Sequence, residues 1–121
     1  MAAPNLVNVS TITAKSVQAD LGTTLTTEIL ANASSSNKVF KINNIIIANI
    51  DGTNSADASV AITKSGGSPI MIASTVAVPA DATLVVVDKN TSLYLEEGDN
   101  IEAGASAASD LTITINYEEL S

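Results

Sequence analysis

Residues 92–121 read SLYLEEGDNIEAGASAASDLTITINYEELS. From Leu111 onward the side chains alternate strictly. Leu111, Ile113, Ile115 and Tyr117 fall on one parity; Thr112, Thr114, Asn116 and Glu118 fall on the other. Successive side chains of an extended chain point to opposite faces, so this period of two belongs to a half-buried β-strand. Just upstream, Ser92–Leu95 reads as a strand and Glu96-Glu97-Gly98-Asp99 as an acidic turn. A second short strand then leads into a loop of small residues, Gly104–Ser109.

Working towards the N terminus, the same alphabet of short strands and turns continues. Thr83–Asp88 is a strand turned by Lys89-Asn90-Thr91, and Pro79-Ala80-Asp81 breaks the ladder before it, because proline has no N–H to donate. Ile70–Val78 alternates, with Ile70, Ile72, Val76 and Val78 against Met71, Ala73, Thr75 and Ala77. Ser65-Gly66-Gly67-Ser68-Pro69 is a turn, and Ala56–Lys64 is a strand with Val60 and Ile62 facing in. Asp51–Ser55 is a loop whose Asp-Gly pair signals a hairpin. Lys38–Ile50 (KVFKINNIIIANI) is apolar on both parities: Phe40, Ile42, Ile46 and Ile50 on one, Val39, Ile45 and Ile47 on the other. That pattern predicts a central strand, or one covered on its outer face.

The N-terminal part is less regular. Ser34–Asn37 is a turn and Gly22–Ala31 a weak strand; Pro4–Ser10 reads as a short strand, and Thr11–Gly22 carries Ile12, Val17 and Leu21 without a sustained period. Residues 1–22 are therefore expected to be an arm packed on a neighbouring subunit, or an edge segment, with residues 23–121 as the β-domain. No stretch reads as a helix. Seven to eight short strands with turn signals between them predict an all-β fold, an antiparallel β-sandwich of jelly-roll-like type.

Composition narrows the function classes. A chain of 121 residues fits one domain and can bury about two-thirds of its unfolded surface. It has no cysteine, histidine or arginine. Disulfides, cysteine metal sites and the usual general base are thereby excluded. The net charge is −8 and the cations are Lys15, Lys38, Lys41, Lys64 and Lys89, a balance that argues against nucleic acid as a partner. Residues 1–80 are neutral, so the whole negative charge arises in residues 81–121. The aromatic residues are Phe40, Tyr94 and Tyr117, read as core fillers rather than a sugar platform. No apolar run approaches the ~18 residues of a membrane-spanning helix, and Met1–Asn5 lacks the basic and apolar regions of a secretory leader. No membrane partner is expected.

Three constellations are candidates for chemistry. Glu96, Glu97, Asp99 and Glu102 form the densest acid cluster, but Glu96 and Glu97 point to opposite faces of an extended chain; the cluster reads as a solvated turn with Gly98 at positive φ, not a catalytic or calcium site. Asp51-Gly52-Thr53-Asn54 with Asp57 resembles the opening of a calcium loop only loosely and reads as a hairpin turn. Ser65-Gly66-Gly67-Ser68 lacks the lysine and helix of a phosphate loop, and nothing places Lys64 or Lys89 beside a nucleophile. The expected sets of catalytic, cofactor-binding and metal-ligating residues are each none.

The order of these segments resembles a known family. KVFKI from Lys38, ANIDGTNSADASV from Ala48, VPADATLVVVDK from Val78, YLEEGD from Tyr94 and the closing YEEL look like small β-sandwich virion structural proteins of tailed bacteriophages, especially those of marine and cyanobacterial hosts. The likeness runs from about Ser35 to the C terminus, and its motifs specify turns and strands rather than chemistry. The resemblance implies a non-enzymatic, cofactor-free capsid decoration (cement) protein. It would be assembled in the host cytoplasm, sit on the virion as a homo-oligomer such as a trimer, and hold the major capsid protein or other virion proteins. A tail, baseplate or fibre-associated module is the alternative, and a host-surface glycan-binding domain a third.

Overall fold

A computed structural model describes residues 5–25 and 28–121. Among the described residues there are nine strands: β1 (Ile12–Asp20), β2 (Glu28–Ala31), β3 (Val39–Asn49), β4 (Ala56–Thr63), β5 (Ile70–Val78), β6 (Thr83–Val87), β7 (Leu93–Leu95), β8 (Asn100–Ala105) and β9 (Leu111–Leu120). One sheet has the order β1-β9-β3-β6 with β7 also on β3; the other has the order β2-β8-β4-β5. Every pairing is antiparallel.

The pairing follows one rule. β1 lies on β9, β2 on β8, β3 on β6 and β7, and β4 on β5. The chain is thus a long hairpin closed by the β4–β5 turn and rolled up, so that β9 also meets β3 and β8 also meets β4. This is the winding of a jelly roll. It accounts for nine strands where seven to eight were expected. β6 and β7 lie in tandem along the same edge of β3, one facing Ile45–Ala48 and the other Phe40–Ile42. They occupy the place of a single strand, interrupted by the turn at Lys89–Thr91, which Asp88 caps through a side-chain bond to the Asn90 N–H (2.8 Å).

The interruption coincides with a register shift in β3 between Ile42 and Asn44. An extra residue there flips the side-chain parity. Phe40 and Ile42 face the core before it, Ile45, Ile47 and Asn49 after it. β3 is apolar on both parities for this reason. It is central, as expected, but its outer face is not sealed: Ile46 is half-buried and Ile50 is exposed.

The winding also corrects the hairpin reading of Asp51-Gly52. β3 and β4 belong to different sheets, and both lateral edges of β3 are taken by β9 and by β6 with β7. The loop is therefore a crossing between layers, held by local polar bonds. Asp51 accepts from Thr53 N (2.8 Å) and Asn54 N (3.3 Å), and the buried Asn49 amide donates to Asn54 O and Val78 O, both 2.9 Å. Those backbone donors hold the Asp51 carboxyl below its ordinary range, the Thr53 N–H contributing most. At the other end of β3, buried Asn32 repeats the device, donating to Lys38 O (2.9 Å) and Leu95 O (3.1 Å).

Residues 5–20 divide into a turn and an edge strand. Leu6 and Val7 lie in a turn, with Val7 N donating to Asn5 Oδ1 (3.0 Å), so the short strand expected over 4–10 does not form in its described part; Pro4 lies outside the described residues. Ile12–Asp20 is an edge strand laddered to β9 from Leu120 to Thr112, and Leu21 is a core residue at 1% exposure. Of the arm and the edge segment expected for residues 1–22, residues 12–20 form an edge strand of the first sheet. Its irregular sequence has a physical cause. An edge strand has a neighbour on one side only, and its inward positions opposite Tyr117 and Ile115 are Lys15 and Val17.

The core is asymmetric. The first sheet presents Ile42, Ile45, Ile47, Leu111, Ile113 and Ile115, all at 0% exposure; the second presents Ala56, Ala58, Val60, Ile101 and Ala103. Large side chains on one inner face and small ones on the other let the two layers interdigitate. Phe40 and Tyr117 close one end with ring centroids 5.1 Å apart, and desolvation raises the Tyr117 phenol above its usual pKa.

Beside them Glu119 receives Lys15 and Lys38, each at 3.0 Å. Burial works against its ionisation, but the two lysine hydrogen bonds together outweigh it and hold the carboxyl below its ordinary range. A lowered folded-state pKa contributes stability that is complete above the unfolded value and disappears as pH falls through the folded one. The melting temperature should therefore drop as pH is lowered below about 4.3. Scanning calorimetry should find the drop smaller in Glu119→Gln; an identical acid profile in that variant would exclude Glu119 as a contributor.

Candidate functional site

Sequence analysis points first to the acid cluster, and the structure disperses it. Gly98 takes φ +85 in the turn after β7, and a Cβ there would sit 2.7 Å from Ser65 Oγ. Only glycine satisfies both constraints. The tight turn drives Asp99 inward to 2% exposure. Its carboxylate accepts from Lys64 Nζ (2.5 Å), Glu96 N (2.9 Å) and Ser65 N (3.1 Å). Lys64 also reaches Glu96 at 2.6 Å. Hydrogen bonds to Asp99, then to Glu96, raise the Lys64 pKa. Glu97 points away and accepts from Asn37 N (2.9 Å), while Glu102 on β8 accepts from Thr63 Oγ1 (2.6 Å).

The four acids therefore divide among three settings: Glu96 and Asp99 share Lys64, Glu97 takes the Asn37 N–H, and Glu102 takes the Thr63 hydroxyl. The expectation of a solvated turn holds for Glu96 but not for Asp99, which is the internal acceptor fastening the β4–β5 turn to the β7–β8 turn. Among the described residues no group of three His, Cys, Asp or Glu side chains is placed to hold a metal ion. Ser65-Gly66-Gly67-Ser68 forms the β4–β5 turn, with Gly66 at φ +74 and Gly67 N bonded to Lys64 O (2.8 Å). Lys89 sits in the short helical turn between β6 and β7. Asp51 is occupied by its own loop and Asp57 lies on β4, so the loose calcium-loop likeness of residues 51–57 does not become a shared site.

Asp57 belongs instead to a feature that sequence reasoning missed. On β4, Asp57 and Ser59 share the outer face, since Ala56, Ala58 and Val60 face the core. Gly104 lies opposite Ser59 on β8. The segment before β2 crosses over it so closely that a Cβ on Gly104 would meet Thr24 O at 2.9 Å and Leu25 Cα at 3.1 Å. Thr75, from β5, takes φ +46, which is strained for a β-branched residue, and its N–H is held by Ser59 Oγ (2.9 Å). Ser106 Oγ accepts from Asp57 N (2.8 Å). The result is a cleft of about 210 Å³ lined by Leu25, Asp57, Ser59, Thr75, Ala105 and Ser106 among others. It lies about 20 Å along β4 from the acidic turn.

The chemistry available in the cleft is one carboxylate, the hydroxyl groups of Thr23, Ser59, Thr75 and Ser106, and a partly apolar wall. Ser59 and Ser106 each accept one backbone N–H, which leaves each hydroxyl a second lone pair and its own proton. The only signals in the sequence were the Asp-x-Ser alternation and an isolated glycine in a strand, and both are common. Comparison of the chain with protein-family models, with curated proteins and with solved structures gives no match.

Proposed function

We propose that this chain is a non-enzymatic structural protein of a tailed-phage virion, acting as a capsid decoration protein. The observation that carries the reading is the rolled-hairpin winding of β1–β9, taken with the resemblance of residues 35–121 to small phage virion proteins. Jelly rolls serve viral capsids among other roles, so the fold supports the reading by analogy alone.

In this role the domain binds preformed capsid across subunit junctions, and rupture of the shell must break those contacts as well. Binding to the assembled state alone stabilises it by mass action. The surface offers separated apolar side chains for such contacts: Ile12 on β1, Ile70 and Met71 on β5, and Val85 and Tyr94 on the outer face of the first sheet. A stable junction buries about 1,200–2,000 Å² in all, which several such points within a polar surround can supply.

Mass spectrometry of separated heads and tails tests the proposal. The protein should be recovered with heads in a copy number matched to the capsid lattice. Recovery with tails alone would replace the reading by that of a tail or baseplate module.

A further inference from the structure

We propose that the cleft on the outer face of the second sheet receives the ammonium end of a lysine side chain from a partner protein. Asp57 is half-buried, and among the described residues no side chain or backbone group donates a hydrogen bond to its carboxylate. A carboxylate without a hydrogen-bond donor at the cleft is open to a cation supplied from outside. Around it, Ser59, Thr75 and Ser106 place hydroxyl oxygens with acceptor capacity left over.

An ammonium carries three donors on a point-like head, so one carboxylate and two hydroxyl oxygens satisfy it. A guanidinium is a planar fork that wants paired, coplanar acceptors, which this mixed set does not provide. Calcium takes six to eight oxygens with several carboxylates, and the cleft holds one. A sugar ring would want an aromatic face, but Phe40 and Tyr117 are in the core and Tyr94 is on the other sheet. The wall of Leu25 and Ala105, with Gly104 adding no side chain between them, suits the aliphatic stem of lysine. The site is also preformed: the Thr75 strain and the close crossing over Gly104 are already present. The net charge of −8 favours approach of a basic segment.

This inference does not depend on the virion reading, since any partner with an exposed lysine would serve. That reading is decided by where the protein sits in the particle, the present one by titration. The probe is the acetylated, amidated tripeptide Gly-Lys-Gly added to ¹⁵N-labelled full-length protein, followed by amide chemical shifts. Shifts should be confined to the neighbourhood of Asp57, Ser59, Thr75 and Ser106 and saturate with a dissociation constant on the order of millimolar.

Asp57→Asn should weaken binding by about tenfold or more, whereas Asp20→Asn, which removes the same charge from exposed β1, should not. Should Asp57→Asn fail to fold by circular dichroism, Ser59→Ala provides the second test, with a weakening of about threefold. Shifts scattered over the surface, or unchanged binding in the cleft variants, would overturn the proposal. So would equal binding of the Gly-Arg-Gly peptide, or localised shifts with glucose or calcium in place of the lysine peptide.

Discussion

Ile113→Asp is expected to yield no soluble folded protein. Ile113 is 0% exposed on β9, opposite Ala19 of β1 and Ile47 of β3, in the middle of the isoleucine-rich inner face. An unpaired carboxylate placed there costs several kcal/mol, comparable with the whole stability of a domain, about 5–15 kcal/mol. Nor can the strand escape by slipping one residue, because that would expose Leu111, Ile115 and Tyr117 together. Thr114→Asp, on the outer face of the same strand, should change stability by less than about 1 kcal/mol. It is a cleaner control than Thr112, which lies opposite Asp20 and would gain a like charge. Circular dichroism and urea unfolding decide the matter; equal damage at both positions would mean that the outer face of the first sheet is covered as thoroughly as the inner one.

Asp99→Ala should be the most destabilising change in the acidic segment, at about 2–4 kcal/mol. It leaves the N–H groups of Ser65 and Glu96 without their acceptor and Lys64 without its nearer carboxylate. Glu96→Gln should cost no more than about 0.5 kcal/mol, because the Lys64–Glu96 pair is screened, with side chains 49% and 59% exposed. The lysine part of the effect has a definite pH dependence. A raised Lys64 pKa means stability that is complete below the unfolded value and lost as pH rises through the folded one. The difference between wild type and Asp99→Ala should therefore narrow above about pH 10.4. Urea unfolding at neutral and alkaline pH measures both quantities. Wild-type stability in Asp99→Ala would show that the two turns are not fastened through this carboxylate.

These residues also show what can be read in the chain and what cannot. β9 declares itself because one of its faces meets the core and the other meets water along its length, so period-two alternation survives. β3 hides its parity switch, because the register shift beside Asn44 leaves no mark in the sequence except apolar residues on both sides. β1 hides because Ile12 is 62% exposed, Lys15 is exposed at the position opposite Tyr117, and only Val17 and Ala19 are half-buried, too few to mark a period. Asp51-Gly52 misleads because a local turn preference does not reveal which sheet the next strand will join. Asp99 looks solvated in an acidic string, yet the positive φ of Gly98 and the reach of Lys64 from the neighbouring turn bury it. The cleft around Asp57 is assembled from β4, β5, β8 and the segment before β2, so its parts are remote in sequence and individually ordinary.

The most direct test of the proposed role is a cryo-EM map of the intact virion that carries this protein. The account predicts two-layered β-densities, fitted by the β1–β9 roll, seated on the outside of the head at junctions between capsid subunits. Density for the roll confined to the tail, or absent from the particle altogether, would contradict it.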